Sequence, residues 1–84
     1  MAEALVVEVG GFEGPLDLLL TLARAQKVDL REVSVLALCE QYLAFVERAA
    51  RARIELAADY LVTAAWLAYL KSRLLLPADA RPDE

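Results

Sequence analysis

ELAADYLVTAAWLAYLKSRLLLP, residues 55–77, is the stretch that decides how this chain folds. Its spacing predicts one helix over about 55–76, opened by Glu55 and stopped by Pro77, which has no amide proton to donate. Nearly every side of this helix is apolar. Small residues (Ala57, Ala58, Ala64, Ala65, Ala68) sit among large ones (Leu61, Val62, Trp66, Leu67, Tyr69, Leu70, Leu74, Leu75). A helix apolar all round is buried all round, or buried on one side with the other open to a partner. A chain of 84 residues has little else to wrap it with, since a domain of this size buries roughly 60% of its unfolded surface.

On a helical wheel the stretch divides. One stripe runs Leu56, Tyr60, Ala64, Leu67, Lys71, Leu74, flanked by a small-residue groove at Leu61, Ala65, Ala68, Ser72 and Leu75. Small side chains let another helix approach closely, so stripe and groove are expected to form the seam with the other helices. A second stripe, Val62, Trp66, Tyr69 and Arg73, has the alternating four-three spacing of a coiled-coil seam. Trp, Tyr and Arg are also the residues enriched where binding energy concentrates. Two readings stay open at this level: Trp66 and Tyr69 cover helix 1, or they face a partner. Lys71 and Arg73 also suit the helix C-terminus simply because positive charge is favoured there.

Working backwards, Ser34 is expected to cap a second helix, Val35 to about Ala52. Its polar arc holds Glu40, Gln41, Glu47, Arg48 and Arg51. The remaining arc, with Val35, Leu36, Leu38, Cys39, Tyr42, Leu43, Phe45, Val46 and Ala49, spans roughly 200°, whereas a core stripe needs only about 100°. Tyr42 and Phe45 are therefore candidates to widen the partner contact. The connector 27–33 is expected to hold a short turn capped by Asp29, with Val28, Leu30 and Val33 as inward anchors. FEGPLDLLL at 12–20 starts the first helix, about 15–26, with Gly14 as N-cap, Pro15 at the first position and Asp17 in the first turn. Leu16, Leu19, Leu20, Leu22 and Ala23 form its expected apolar face, and Phe12 folds back near Leu19 as a hydrophobic staple. Leu43 and Tyr60 complete the expected core, together with Leu61, Ala64, Leu67 and Leu74. Residues 5–9, LVVEV, read as a short extended segment ended by Gly10-Gly11. A lone strand is not stable in water, so it needs a partner strand or a place across the helices.

The expected fold is thus all-α, a small three-helix domain over 1–77 with an extended N-terminal segment, followed at 78–84 by the start of a linker. The chain is 60% hydrophobic with a net charge of −4, from 9 basic and 13 acidic residues. Duplex binding needs a basic patch to displace counterions, so no direct nucleic-acid contact is expected. The longest uncharged run, Tyr60–Leu70, is about half the roughly 20 residues that a bilayer needs, so no membrane partner is expected either. No signal peptide is expected, because an acid stands where a basic leader would begin. There is no histidine and one cysteine. That removes serine–histidine and cysteine–histidine catalysis within the chain, the usual zinc sets, and any intrachain disulfide. Cys39 is expected to be a packed thiol. No cofactor and no enzymatic activity are expected.

FEGPLDLLL at 12–20, KVDL at 27–30, QYL at 41–43 and DYLVTAAWLAYLKSRLLLP at 59–77 together resemble the N-terminal domain of segregation and condensation protein A. That family is the bacterial kleisin of the SMC–condensin complex, and the resemblance covers about residues 5–77. Thr63 stands where the family commonly has Met, and Ser34 where it often has proline. The resemblance implies a non-enzymatic architectural domain, cytoplasmic and associated with the nucleoid. Its expected partner is the coiled-coil neck of an SMC ATPase. A central region outside this chain would bind segregation and condensation protein B. On the residues alone, an alternative is a self-associating helical module that covers its spare apolar surface with a second copy.

Overall fold

The computed structural model describes residues 11–77. Over that span the protein is all-α, with three helices: α1, Pro15–Gln26; α2, Val35–Arg51; and α3, Ala58–Leu75. A short 3-10 turn, Leu30–Glu32, lies between α1 and α2. The segment expected to be extended at 5–9 and the tail at 78–84 fall outside the described residues.

Proline at its first position starts α1, and the Gly14 carbonyl accepts from the Leu18 amide at 3.2 Å. The Asp17 carboxylate reaches back and accepts from the Glu13 amide at 3.1 Å, satisfying a donor that the helix itself cannot. The buried face of α1 is Leu18, Leu22 and Ala23, with Phe12 and Leu19 packed beside it. This corrects the expected face. Leu18 is completely buried, whereas Leu16 and Leu20 are exposed. Leucine occupies positions 16, 18, 19, 20 and 22, so periodicity could not single out the inward side.

The connector is held by polar links. Gln26 and Ser34 clasp each other across it: the Ser34 amide donates to Gln26 Oε1 at 3.0 Å, and Gln26 Nε2 donates to the Ser34 carbonyl at 3.2 Å. Asp29 caps the 3-10 turn by accepting from the Arg31 amide, and also pairs with the Arg31 guanidinium at 2.9 Å. That guanidinium lowers the Asp29 pKa below the ordinary carboxylate value. Val28 and Leu30, expected as inward anchors, are exposed.

Ser34 caps α2, its hydroxyl accepting from the Ala37 amide at 3.1 Å. The buried positions are Cys39, Tyr42, Phe45 and Ala49, at helical spacing, and Leu43 is half-buried. The helix ends in a Schellman motif. The Ile54 amide donates to the Ala49 carbonyl at 2.9 Å and the Arg53 amide to the Ala50 carbonyl at 3.1 Å. Arg53 occupies the left-handed position with φ 59°, a conformation that favours glycine because a Cβ crowds the backbone there.

This reversal explains why α3 begins at Ala58 and not at Glu55. After a left-handed residue the chain runs extended through Ala57, which carries Leu56 onto the core before helical geometry resumes. The inward side of α3 is Tyr60, buried, with Leu56, Ala64 and Leu67 packed on the same cluster. Lys71 and Leu74 are half-buried on that side. The flanking groove does not form the seam: Leu61, Ala65, Ala68, Ser72 and Leu75 are all exposed. The other two helices close over one side of α3 only. α3 packs chiefly on α2, and α1 packs on α2 more than on α3.

The core is therefore a single cluster, Leu18, Leu22, Tyr42, Phe45 and Tyr60. The Tyr42 hydroxyl within it is satisfied, donating to the Tyr60 carbonyl at 2.9 Å. Burial pushes the Tyr42 pKa up to about 12, tempered by the Thr63 hydroxyl. Burial also raises the Tyr60 pKa, with the Asp17 charge adding to the shift.

Candidate partner-binding face

Among the described residues, α3 carries more exposed large apolar side chains than any other element, with Val62, Trp66 and Tyr69 on its outward side. Val62 is 58% exposed, Trp66 67% and Tyr69 53%. A shallow open recess is lined by Val62, Ala65, Trp66 and Tyr69. Leu61, Leu70 and Leu75 are also exposed around the same helix. The largest contiguous apolar patch on a protein surface is often a place where something binds.

The strip is ordered by its own side chains. The Trp66 and Tyr69 rings stand edge to face, with centroids 6.3 Å apart and planes at 82°. That arrangement sets the positive edge of one ring against the negative face of the other. One turn further, Arg73 Nη1 donates to the Tyr69 hydroxyl at 2.8 Å. The Arg73 guanidinium carbon lies 5.6 Å from the Tyr69 ring centroid, near the outer limit for a cation–π contact. The hydrogen bond to the hydroxyl end is therefore the stronger link. Val62, Trp66, Tyr69 and Arg73 form one continuous strip, in which Trp66, Tyr69 and Arg73 touch in series.

The inward edge of α3 is tied differently. Lys71 Nζ lies 3.9 Å from Glu40 of α2. An ion pair at that distance and exposure contributes at most about 1 kcal/mol, but it ties α3 to α2 on the side away from the aromatic strip. Tyr42 and Phe45, expected to widen the contact, are fully buried beneath α3. They are core residues. Most of the broad apolar arc of α2 is covered by packing against α1 and α3, with Val35 left half exposed. The remaining expected core residues are placed as follows: Phe12, Leu19, Ala64 and Leu67 pack on the cluster, while Leu61 is half exposed. Pro15 is half-buried at the start of α1.

Among the described residues, no set of His, Cys, Asp and Glu side chains gathers closely enough to hold a metal ion. The thiol of Cys39 is buried, and burial pushes its pKa up, away from the reactive thiolate. Among the described residues, no helix is long and apolar enough to cross a membrane. What the face can do is bury apolar area. Covering a Trp, a Tyr and a Val that are each more than half exposed contributes about 1–2 kcal/mol per side chain.

A family model described as "Segregation and condensation protein ScpA" matches residues 22–84. Curated relatives agree. A segregation and condensation protein A from Coxiella burnetii is 48% identical over 82 residues, covering 98% of this chain and 31% of the relative. One from Streptococcus equi subsp. equi is 46% identical over 80 residues, covering 93% of this chain and 34% of the relative. One from Lactiplantibacillus plantarum is 42% identical over 82 residues, covering 98% and 32%. The chain spans about a third of the length of the curated relatives it matches.

Proposed function

The chain belongs to the segregation and condensation protein A family, and from that premise we propose that it is a non-enzymatic architectural domain acting in chromosome segregation and condensation. It docks the outward strip of α3 against the coiled-coil neck of an SMC ATPase in a condensin complex at the nucleoid. The observation that carries this reading is the exposed strip of Val62, Trp66, Tyr69 and Arg73. Its spacing is that of a helix which joins a bundle, where knobs enter holes on a neighbouring helix. A two-helix neck supplies those holes and covers the surface that three short helices leave bare. Segregation and condensation protein B would be engaged by a region outside this chain. A second copy of the domain is the competing occupant of the same strip.

Changing Trp66 and Tyr69 together to Glu tests the docking. Pull-down of an SMC head-plus-neck fragment is expected to be lost while helical circular dichroism is retained, since both side chains are exposed. Retained capture by the folded variant would overturn the choice of face. Light scattering on the isolated domain separates the competing occupant: a strict monomer at high concentration that still captures the neck excludes the second copy. Trp66 is the single tryptophan, so its emission should shift to the blue when a tryptophan-free neck covers it.

A further inference from the structure

Ala65 and Trp66 stand next to each other on the outward side of α3, the smallest side chain of that side beside the bulkiest. Trp66 is 67% exposed, and the open recess beside it is lined by Val62, Ala65, Trp66 and Tyr69. These four positions are symmetric about the point midway between 65 and 66. Val62 and Tyr69 lie equally far from it along the helix, as do Ala65 and Trp66. A surface that meets its own copy across a two-fold axis needs this property, because residue i then meets j wherever j meets i. Two α3 helices laid antiparallel on that point set each Trp66 over the other copy's Ala65, between its Val62 and Tyr69. Bulk meets a gap twice over.

Charge agrees with shape. No charged residue stands between Tyr60 and Leu70, so two copies bring no like charges together across this contact. Asp59, one turn before Val62, faces position 72 of the other copy, a serine, when the helices run antiparallel. In a parallel pair it faces the other Asp59, and like charges set opposite each other disfavour that arrangement. The area is modest. The exposed side chains along this side of α3 would bury roughly 800–1,000 Å² in all, under the about 1,200 Å² of a stable interface and in the range of transient ones.

We propose that this chain pairs with a second copy of itself through α3, antiparallel about the point between Ala65 and Trp66, with Trp66 of each copy seated over Ala65 of the other. The pairing is weak, with a dissociation constant of about 10–100 μM. It stands on the shape of the strip and does not need the docking reading above. Where that reading holds, the two contacts exclude each other, and the second copy masks the strip until the neck displaces it.

Sedimentation equilibrium on the 84-residue chain tests the pairing. The wild type is expected to pass from monomer to dimer over about 10–100 μM. Trp66→Ala removes the knob and Ala65→Trp fills the gap. Each alone should weaken self-association about tenfold or more, with helical circular dichroism unchanged because both positions are exposed. Mixed in equal amounts, the two variants should form a heterodimer near the wild-type affinity, since every bulky residue again meets a small one. Direction is read separately. On a Cys39→Ala background, a short bis-maleimide should link Val62→Cys of one copy to Tyr69→Cys of another in a mixture, in preference to linking either variant to itself. A wild-type chain that stays monomeric at about 1 mM overturns the inference. So does a dimer that both single variants leave intact, or one in which Val62→Cys links chiefly to itself. Should either size variant lose its helical signal, the cross-link decides. None of these readouts involves the neck, so the docking reading stands or falls apart from them. Adding the SMC head-plus-neck fragment to the paired chain should give a one-to-one complex. A complex holding two copies of this chain per neck would overturn the sharing of one face.

Discussion

Tyr42 and Phe45 on α2, and Trp66 and Tyr69 on α3, are two aromatic pairs with the same three-residue spacing. The first pair is fully buried and the second more than half exposed. The difference does not come from the aromatic residues. α2 has a polar arc, Glu40, Gln41, Glu47, Arg48 and Arg51, and that arc must face water. Its rotation is thereby set, and Tyr42 and Phe45 are turned to the centre. α3 has no such arc. Its rotation is set by what fits against α2: the small Ala64 where the helices approach, the Tyr60 carbonyl under the Tyr42 hydroxyl, and Lys71 beside Glu40. Trp66 and Tyr69 are then outside by exclusion. One helix is oriented by solvent and the other by its neighbours.

The largest expected effect breaks the buried half of the comparison. Phe45→Ala should destabilise the protein by about 3–5 kcal/mol, because it removes a fully buried ring and leaves a cavity. That is a large share of a small domain's total, so the variant should melt broadly or be unfolded in a urea titration followed by circular dichroism. A loss as large from Trp66→Ala would abolish the distinction between the two pairs.

Tyr42→Phe comes next. It keeps the ring but orphans the Tyr60 carbonyl's extra partner, at about 1–2 kcal/mol. The same hydroxyl has a pH signature. Tyr42 releases its proton at about 12 in the folded protein, against an ordinary value of 10.0. Its contribution is therefore full below pH 10 and is lost as pH rises through 12, because the unfolded chain sheds the proton first. Urea midpoints should fall between about pH 10 and 12 for the wild type, and that fall should flatten in Tyr42→Phe.

A smaller effect, of opposite sign, sits at the junction between the two helices. Arg53→Gly should stabilise the protein by up to about 1 kcal/mol, because the left-handed backbone there strains any residue with a Cβ. The gain is partly offset by the added freedom of glycine in the unfolded chain. A lowered thermal midpoint would show that the Arg53 side chain contributes more than its backbone costs. The smallest effect is on the exposed pair. Trp66→Ala should change stability by no more than about 0.5 kcal/mol, the usual range for surface positions, in the same urea assay that unfolds Phe45→Ala.

Much of this fold is legible in the chain because its signals are local. Pro15 after Gly14, Ser34 before an amphipathic run, and Pro77 after an apolar one each act within a turn of themselves. The three helices follow from them and from the apolar spacing. The inward stripe of α3, from Leu56 to Leu74, is also visible as the row whose members repeat at helical spacing. Where several rows are equally apolar, the pattern is silent. Leucine at five of seven positions in α1 does not distinguish Leu18, which is buried, from Leu16, which is not. The small-residue groove of α3 looks as suited to packing as the stripe beside it.

The sequence by itself determined how many helices form, where two of them start, and that they carry more apolar surface than they can cover among themselves. Those are consequences of composition and of capping chemistry within a few residues. Only the tertiary structure decided which surface is left over. That choice depends on how three helices of fixed length share a core of five large side chains. It turned Tyr42 and Phe45 inward, left Leu16 and Leu20 outside, and set Trp66 and Tyr69 in line with Asp59 and Arg73. A left-handed residue at Arg53 and the four non-helical residues after it, 54–57, moved the start of α3 to Ala58, because the chain had to reverse before it could pack. The physical reason is common to all of these. Local propensity acts along the chain, whereas burial is settled by competition among all apolar faces for a core too small to hold them.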